Sequence, residues 1–253
     1  MKKRLKSITD KAYPAIAGVL IIIIWHVISA AGGVREYLLP SPMRVLFAFV
    51  ETLPELMQHA GTTLFEAFVG LTFGIMLAFI MAVIMDRADF FYRAFYPVLV
   101  VSQTIPAIAV APLLVLWLGY GVAPKIALVV LVCFFPIAIG MLDGFKSIDR
   151  DAVVLLRAMG ATSGQVFYHI KLPSCLGGFF AGLKISVSYA VVGAVIAEWL
   201  GGNAGLGVYM TRVRKSYAYD KMFAVIIFIS IISLLLIKAV AILEKYSMPW
   251  KDK

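Results

Sequence analysis

Six long apolar runs separated by polar stretches dominate this chain, and they leave little choice of fold. They lie at approximately 15–31, 61–85, 94–118, 124–142, 177–199 and 222–243. A hydrocarbon core of ~30 Å is crossed by about 20 apolar residues in a helix. Only a helix or a closed barrel satisfies its own backbone inside lipid. Hydrophobic residues make up 62% of the chain and charged ones 15%, against roughly half and a quarter in soluble domains. The expectation is an all-α membrane protein with six transmembrane helices. The N-terminus, MKKRLKSITDK before an apolar run ending in Ala30-Ala31-Gly32, has the look of a signal peptide. The run is long enough to span, and it is read as an uncleaved first helix. No polar segment is large enough to fold as a separate soluble domain.

The formal net charge of +9 does not indicate nucleic acid, because the basic residues sit at the ends of apolar runs rather than along one polar face. That placement is what the positive-inside rule produces. With the N-terminus inside, the segments 1–14, 86–93, 143–176 and the tail after 243 carry 14 Lys and Arg, and the opposite loops carry six, from Arg35 to Lys221. Both termini are therefore expected in the cytoplasm: a tail of 1–14, a six-helix domain of 15–243 and a tail of 244–253. Lys184 and Lys238 reach headgroups by extending their stems. One stretch, TRVRKSYAYDK, lies outside and runs against the rule. Cys133 and Cys175 have no ligand-like spacing to any histidine, so neither a disulfide nor a zinc site is expected.

Polar and helix-breaking residues inside the runs mark candidate functional positions. The third run, AFYPVLVVSQTIPAIAVAPLLVLWLG, holds Pro97, Pro106 and Pro112, with Ser102, Gln103 and Thr104 before the middle one. Each proline removes a donor and disturbs a carbonyl, and in lipid such groups need protein or a water-filled cavity. These residues either border a solute pathway or form a structural kink. Gly70 and Gly74 in the second run allow close helix approach, as a dimer seam or against neighbours within the chain. Glu198, at the outer end of the fifth run beside Trp199 and the turn GGNAGLG with its Asn203, is a candidate gate or receptor-docking edge. The alternative is a carboxylate at headgroup level bonded to backbone amides. Glu66 is a weaker candidate. The external connection 32–60 contains an amphipathic segment, MRVLFAFVETLPELMQH.

The long inner loop 143–176 reads DGFKSIDRDAVVLLRAMGATSGQVFYHIKLPSCLGG from Asp143. It predicts a helix over 151–159, a break at Gly160, a second short helix over 163–170, and a stop at Pro173. Phe167 and Ile170, three apart, would share a face and enter a partner's groove like knobs.

Gly160-Ala161, then Ile170-x-Leu172-Pro173, resembles the signature loop of permease subunits of ATP-binding-cassette importers. The Gly-to-Ile spacing matches the family's pattern. Its Glu-Ala-Ala opening falls here on Val154, Leu155 and Leu156, with Arg157 after them, as in the branch serving nitrate, sulfonate, taurine and similar solutes. LPSPMRVLFAF, IPAIAVAPLLVLWLGYG, GLKISVSYAVVGAVIAEWLG and GLGVYM are similar to blocks of that branch. The resemblance implies a type I ABC importer permease fold with a cytoplasmic coupling helix in the bacterial inner membrane. It also implies a second copy of the permease, a cytosolic ATPase dimer that binds ATP and Mg, and an external or periplasmic substrate-binding protein. No cofactor is expected in this chain. Arg157, Gly160, Ala161, Phe167, Ile170, Leu172 and Pro173 would form the contact with the ATPase.

An ion-coupled secondary carrier would need buried midplane acids or paired halves with broken helices, and the runs show neither. An intramembrane enzyme would need a paired-Glu, His–Glu or Ser–Lys constellation, which no run carries. The outer segment AEWLGGNAGLGVYMTRVRKSYAYDKMFA is similar to permeases for the pyrimidine precursor of thiamine. Riboflavin, sulfonate, taurine and nitrate remain open as cargo.

Overall fold

The computed structural model describes residues 2–31 and 38–250, including in the first helix the side chains of 13 and 16–31. Arg35, Lys251 and Lys253, counted above in the loop charges, lie outside the described residues. The described residues form helices α1 (Lys2–Ala30), α2 (Pro42–Arg87), α3 (Asp89–Ser102), α4 (Ala107–Leu118), α5 (Ala123–Lys146), α6 (Arg150–Ala158), α7 (Ser163–Val166), α8 (Leu172–Glu198), α9 (Leu206–Lys215) and α10 (Tyr219–Ser247). Among them, α2, α5, α10 and the continuous stretch Ser163–Glu198 are each long and apolar enough to cross a membrane. The pair α3 and α4 becomes a fifth such element if taken as one broken span.

Three boundaries differ from the sequence expectation. The amphipathic segment before the second run is not a separate external element. It is the start of α2, a helix of 46 residues, about 70 Å at ~1.5 Å per residue and so more than twice the membrane core. Ser41 precedes Pro42 at the first helical position, where a proline loses nothing because that N–H has no helical partner. The single span expected over 94–118 is two helices bent by 103° at Gln103–Pro106. Pro173 does not stop the short helix that begins at Ser163. A π-turn over Phe167–Lys171 joins α7 to α8, and the Leu172 N–H donates to the Phe167 carbonyl five residues back. This wider turn takes up the place of the hydrogen bond that Pro173 cannot make.

The chain forms two compact units. In the first, residues 1–57 and 209–228, the Trp25 indole donates to the Pro40 carbonyl at 3.1 Å and its ring lies 5.5 Å from Phe223. Arg212 pairs with Glu55 at 3.1 Å and Lys221 with Glu51 at 3.2 Å. Two cations of the basic stretch that runs against the positive-inside rule thus have acidic partners.

The second unit, residues 58–208 and 229–253, is built on the crossing of α5 and α8. Gly140 and Gly178 face each other so closely that a Cβ on Gly178 would overlap the Gly140 carbonyl oxygen. At this approach the backbones themselves pack, which lipid cannot do as well. Ser186 donates to the Cys133 carbonyl at 2.8 Å in the same seam. Around the seam lie Ala78, Met85, Ile137, Ala138, Met141 and Val187, all buried. Gly70 and Gly74 pack on Val129 and Cys133 of α5 within the same chain, so their spacing serves the subunit's own interior. The outer surface of the spans is apolar, with Phe65 at 60% and Phe68 at 72% exposure, as a lipid-facing surface must be.

Candidate translocation pathway

The bend between α3 and α4 creates a pocket where a straight helix would have left none. Pro106 is extended (φ −68°, ψ 123°) and begins α4. The residue before a proline is pushed out of the helical region, so the break falls at Gln103–Ile105. The Ser102 carbonyl, four residues before Pro106, accepts instead from the Ile105 N–H at 3.2 Å. Ser102 Oγ donates to the Val98 carbonyl and Thr104 Oγ1 to the Val101 carbonyl, each at 2.7 Å. A pocket of about 360 Å³ opens at the break. Ser102, Gln103 and Pro106 line it as the sequence suggested, and Thr104 does not. Its other walls come from α5 and α8, chiefly Leu131, Phe135, Tyr189 and Val192. None of these described lining residues is charged. Sequence reasoning missed Phe135 and Tyr189. The available signal was a phenol in the middle of an apolar run and an aromatic immediately before Pro136.

Glu198 sits at the other end of α8 from the 143–176 loop, and its side chain is almost wholly enclosed at 1% exposure. Thr63 Oγ1 donates to its Oε1 at 2.7 Å and the Gly207 N–H to its Oε2 at 2.5 Å. The Leu206 N–H in turn donates to Thr63 Oγ1 at 2.8 Å. The carboxylate therefore ties the C-terminal end of α8 to α2 and to the turn that opens α9. Gly205, at φ +122°, is required in that turn, because a Cβ there would collide with the Glu198 carboxylate. Next to it, Lys125 of α5 pairs with Glu66 of α2 at 2.7 Å, both side chains buried. The sequence reading ranked Glu66 low and passed over Lys125. A lone lysine at the head of one apolar run and a lone glutamate in another each signal a charge that needs a partner, without naming it. Glu66, Lys125, Thr62, Tyr120 and Asn203 line a second pocket, of about 530 Å³, under the loops 119–122 and 201–204.

Between α5 and α8 the chain makes an elbow. Asp149 caps α6 by accepting the Asp151 N–H at 2.9 Å. The helix ends in a Schellman motif: Gly160 (φ +87°) donates to the Arg157 carbonyl, and Ala161 donates to the Leu156 carbonyl. Two residues later Thr162 and Gln165 form a capping box that starts α7. Lys171 holds both oxygens of Asp86, at 2.9 and 2.7 Å, and the Arg87 guanidinium lies 5.8 Å from the Phe167 ring centroid. The residues proposed as knobs do not share an outward face. Phe167 turns toward Phe145, 6.2 Å away, and Ile170 is half-buried. The exposed apolar side chains are Val154, Leu155, Met159 and Tyr168, at 63 to 75%. Arg157 is exposed, Ala161 lines a small pocket with Met159 and His169, and Leu172 and Pro173 form the first turn of α8.

Helices apolar and long enough to cross a membrane, with an uncharged pocket at a broken pair, are the features of a membrane transport protein. Residues 70–251 match the family described as "Binding-protein-dependent transport system inner membrane component", and the chain belongs to that family: it is a permease subunit of an ATP-binding-cassette importer. It is 38% identical over 241 residues to the formylaminopyrimidine transport permease protein ThiX of Halalkalibacterium halodurans, covering 95% of this chain and 96% of that one. It is 29% identical to the riboflavin transport system permease protein RibX of Chloroflexus aurantiacus, covering 98% and 95% of the two chains. In fold it is similar to a permease chain in the crystal structure of a bacterial ABC transporter involved in the import of the acidic polysaccharide alginate. The TM-score is 0.65 at 17% identity, over 96% of this chain and 99% of the other.

Proposed function

We propose that this permease imports the pyrimidine precursor of thiamine, received from an external binding protein and driven by a cytosolic ATPase dimer that binds ATP and Mg. The observation that carries the reading is the uncharged pocket at the α3–α4 break, lined by Phe135, Tyr189 and Gln103. Such a site suits a small neutral heteroaromatic ring and offers no cation to a sulfonate or nitrate. Among similar permeases, the formylaminopyrimidine transport permease protein is 38% identical over 95% of this chain.

The subunit has six spans in this reading: the four long apolar helices, the bent pair as one, and α1, whose stretch Ile16–Ala30 is apolar and exposes Ile21 and Val27. Both termini and the α6–α7 elbow lie in the cytoplasm, consistent with the basic residues there. Two copies enclose one pathway. Val154, Leu155, Met159 and Tyr168, too apolar for a loop left in water, seat the elbow in the ATPase. When the two ATPases close, the elbow moves as a body. The π-turn and the Asp86–Lys171 clamp pass that motion into α8, a rod that carries Tyr189 at the pocket and Glu198 at the outer end. Packed helices switch between discrete arrangements, so a small displacement at the elbow reopens the pathway on the other side.

The test is uptake of labelled formylaminopyrimidine by cells that express the permease with its ATPase and binding protein. Uptake that needs all three components and stops on ATP depletion is expected. Uptake that survives ATP depletion with the ion gradient intact, or no uptake of the pyrimidine, overturns the reading.

A further inference from the structure

We infer that the turn closing α9, with Arg214, Lys215 and Tyr217, is a docking surface for an acidic face of the external binding protein. This rests on the reading of the chain as an importer subunit with both termini in the cytoplasm, which puts α9 and its closing turn outside. It adds the place where the receptor lands.

The charges there need a reason. Short external loops of membrane proteins carry few Lys and Arg, yet Arg212, Arg214, Lys215 and Lys221 lie close together in this one. Two of them belong to the fold, since Arg212 pairs with Glu55 and Lys221 with Glu51. Arg214 and Lys215 are exposed and have no acidic partner among the described residues. The end of a helix favours cations, which accounts for their position on α9 but not for the aromatic ring beside them.

The backbone supplies an independent observation. α9 ends in a Schellman motif: the Ala218 N–H donates to the Val213 carbonyl at 3.0 Å and the Tyr217 N–H to the Arg214 carbonyl at 3.2 Å. The motif needs a left-handed residue, and Tyr217 takes that place at φ 57°. The same motif closes α6, where the left-handed residue is Gly160. A bulky side chain in this conformation is strained. Packing offsets little of that strain, because the Tyr217 ring is 70% exposed and meets Tyr219 edge-on at 6.4 Å. Strain held on an exposed turn points to function rather than to stability. Tyr and Arg are the side chains that protein interfaces favour, and a few such anchors carry most of the binding energy. Uncovered cations beside the ring select a partner rich in Asp and Glu, and they steer it into register. The family is defined by its dependence on a binding protein, and in this reading that protein meets the subunit from outside.

Stimulation of ATP hydrolysis in the purified permease–ATPase complex tests the surface. The complex sits in nanodiscs of phosphatidylcholine alone, and the titrant is the importer's own binding protein loaded with formylaminopyrimidine. Arg214→Glu/Lys215→Glu is expected to raise the half-maximal concentration of binding protein by about tenfold or more, with the maximal rate kept. Added salt should raise the wild-type half-maximal concentration and move that of the charge-reversed variant less. Tyr217→Gly separates docking from folding. It is expected to melt at or above the wild-type temperature, because glycine relieves the turn, and yet to need about tenfold more binding protein. If either variant titrates as wild type does, the inference is overturned and the importer reading stands. Tyr217→Gly melting well below wild type would give the ring a packing role instead, which also overturns it. A defect that appears only in nanodiscs containing phosphatidylglycerol would assign the patch to lipid headgroups, with the same result. A wild-type complex that the binding protein fails to stimulate overturns the inference together with the reading it rests on.

Discussion

Replacing Lys125 with methionine should destabilise the subunit far more than replacing Lys125 and Glu66 together. The ammonium and carboxylate meet at 2.7 Å with side-chain exposures of 6% and 1%. Removing the lysine alone leaves the Glu66 carboxylate buried without its counter-charge, beside a second carboxyl group at Glu198. Breaking a buried pair from one side costs about 3–5 kcal/mol, whereas exchanging both members for apolar side chains of similar volume is often neutral. For a chain of this size ~1 kcal/mol moves a melting temperature by about 2–4 °C, so Lys125→Met should lower it by roughly 10 °C. The double variant Lys125→Met/Glu66→Leu should recover most of that loss. The assay is thermal unfolding of the purified permease in detergent or nanodiscs, run as a double-mutant cycle. A coupling energy below about 0.5 kcal/mol would refute the reasoning, since the two groups would then be independent.

Three further outcomes follow from other parts of the molecule. Gly160→Val places a β-branched residue at φ +87°, at a cost of about 1–2 kcal/mol, and should cut uptake severely while membrane insertion, followed by protease protection, stays normal. Gly178→Val forces α5 and α8 apart at their closest approach, so the amount of folded permease recovered after solubilisation should fall several-fold. Tyr189→Ala removes one wall of the α3–α4 pocket; initial uptake rates should drop by about tenfold or more with the ATPase still bound, as measured by co-purification.

Much of the architecture was legible in the residues because lipid imposes long uniform apolar runs, and these are the strongest signal a sequence carries. A disturbance at Pro106 was legible for the same reason, since a proline in lipid has to be accommodated and Ser102, Gln103 and Thr104 stood beside it, but as a kink in one span rather than two helices bent by 103°. What could not be read was pairing across the bundle. Lys125 and Glu66 are 59 residues apart, and nothing local marks them as partners. The approach of Gly140 to Gly178 is likewise a property of two helices, invisible in either one. The elbow shows a third kind of limit. Its apolar periodicity suggested that Phe167 faces outward, but the π-turn shifts the register by one residue and turns that ring toward Phe145. Pro173 reads as a stop because an α-helix cannot absorb it there, whereas a wider turn can.

The account stands or falls on the side of the membrane that the elbow occupies. Both native cysteines, Cys133 and Cys175, are buried, so a single cysteine introduced as Tyr168→Cys, at a site that is 70% exposed, can be labelled on a quiet background. A membrane-impermeant maleimide should leave it unmodified in intact cells and label it in inside-out vesicles, with the ATPase protecting it when bound. Labelling from the outside of intact cells would contradict the account.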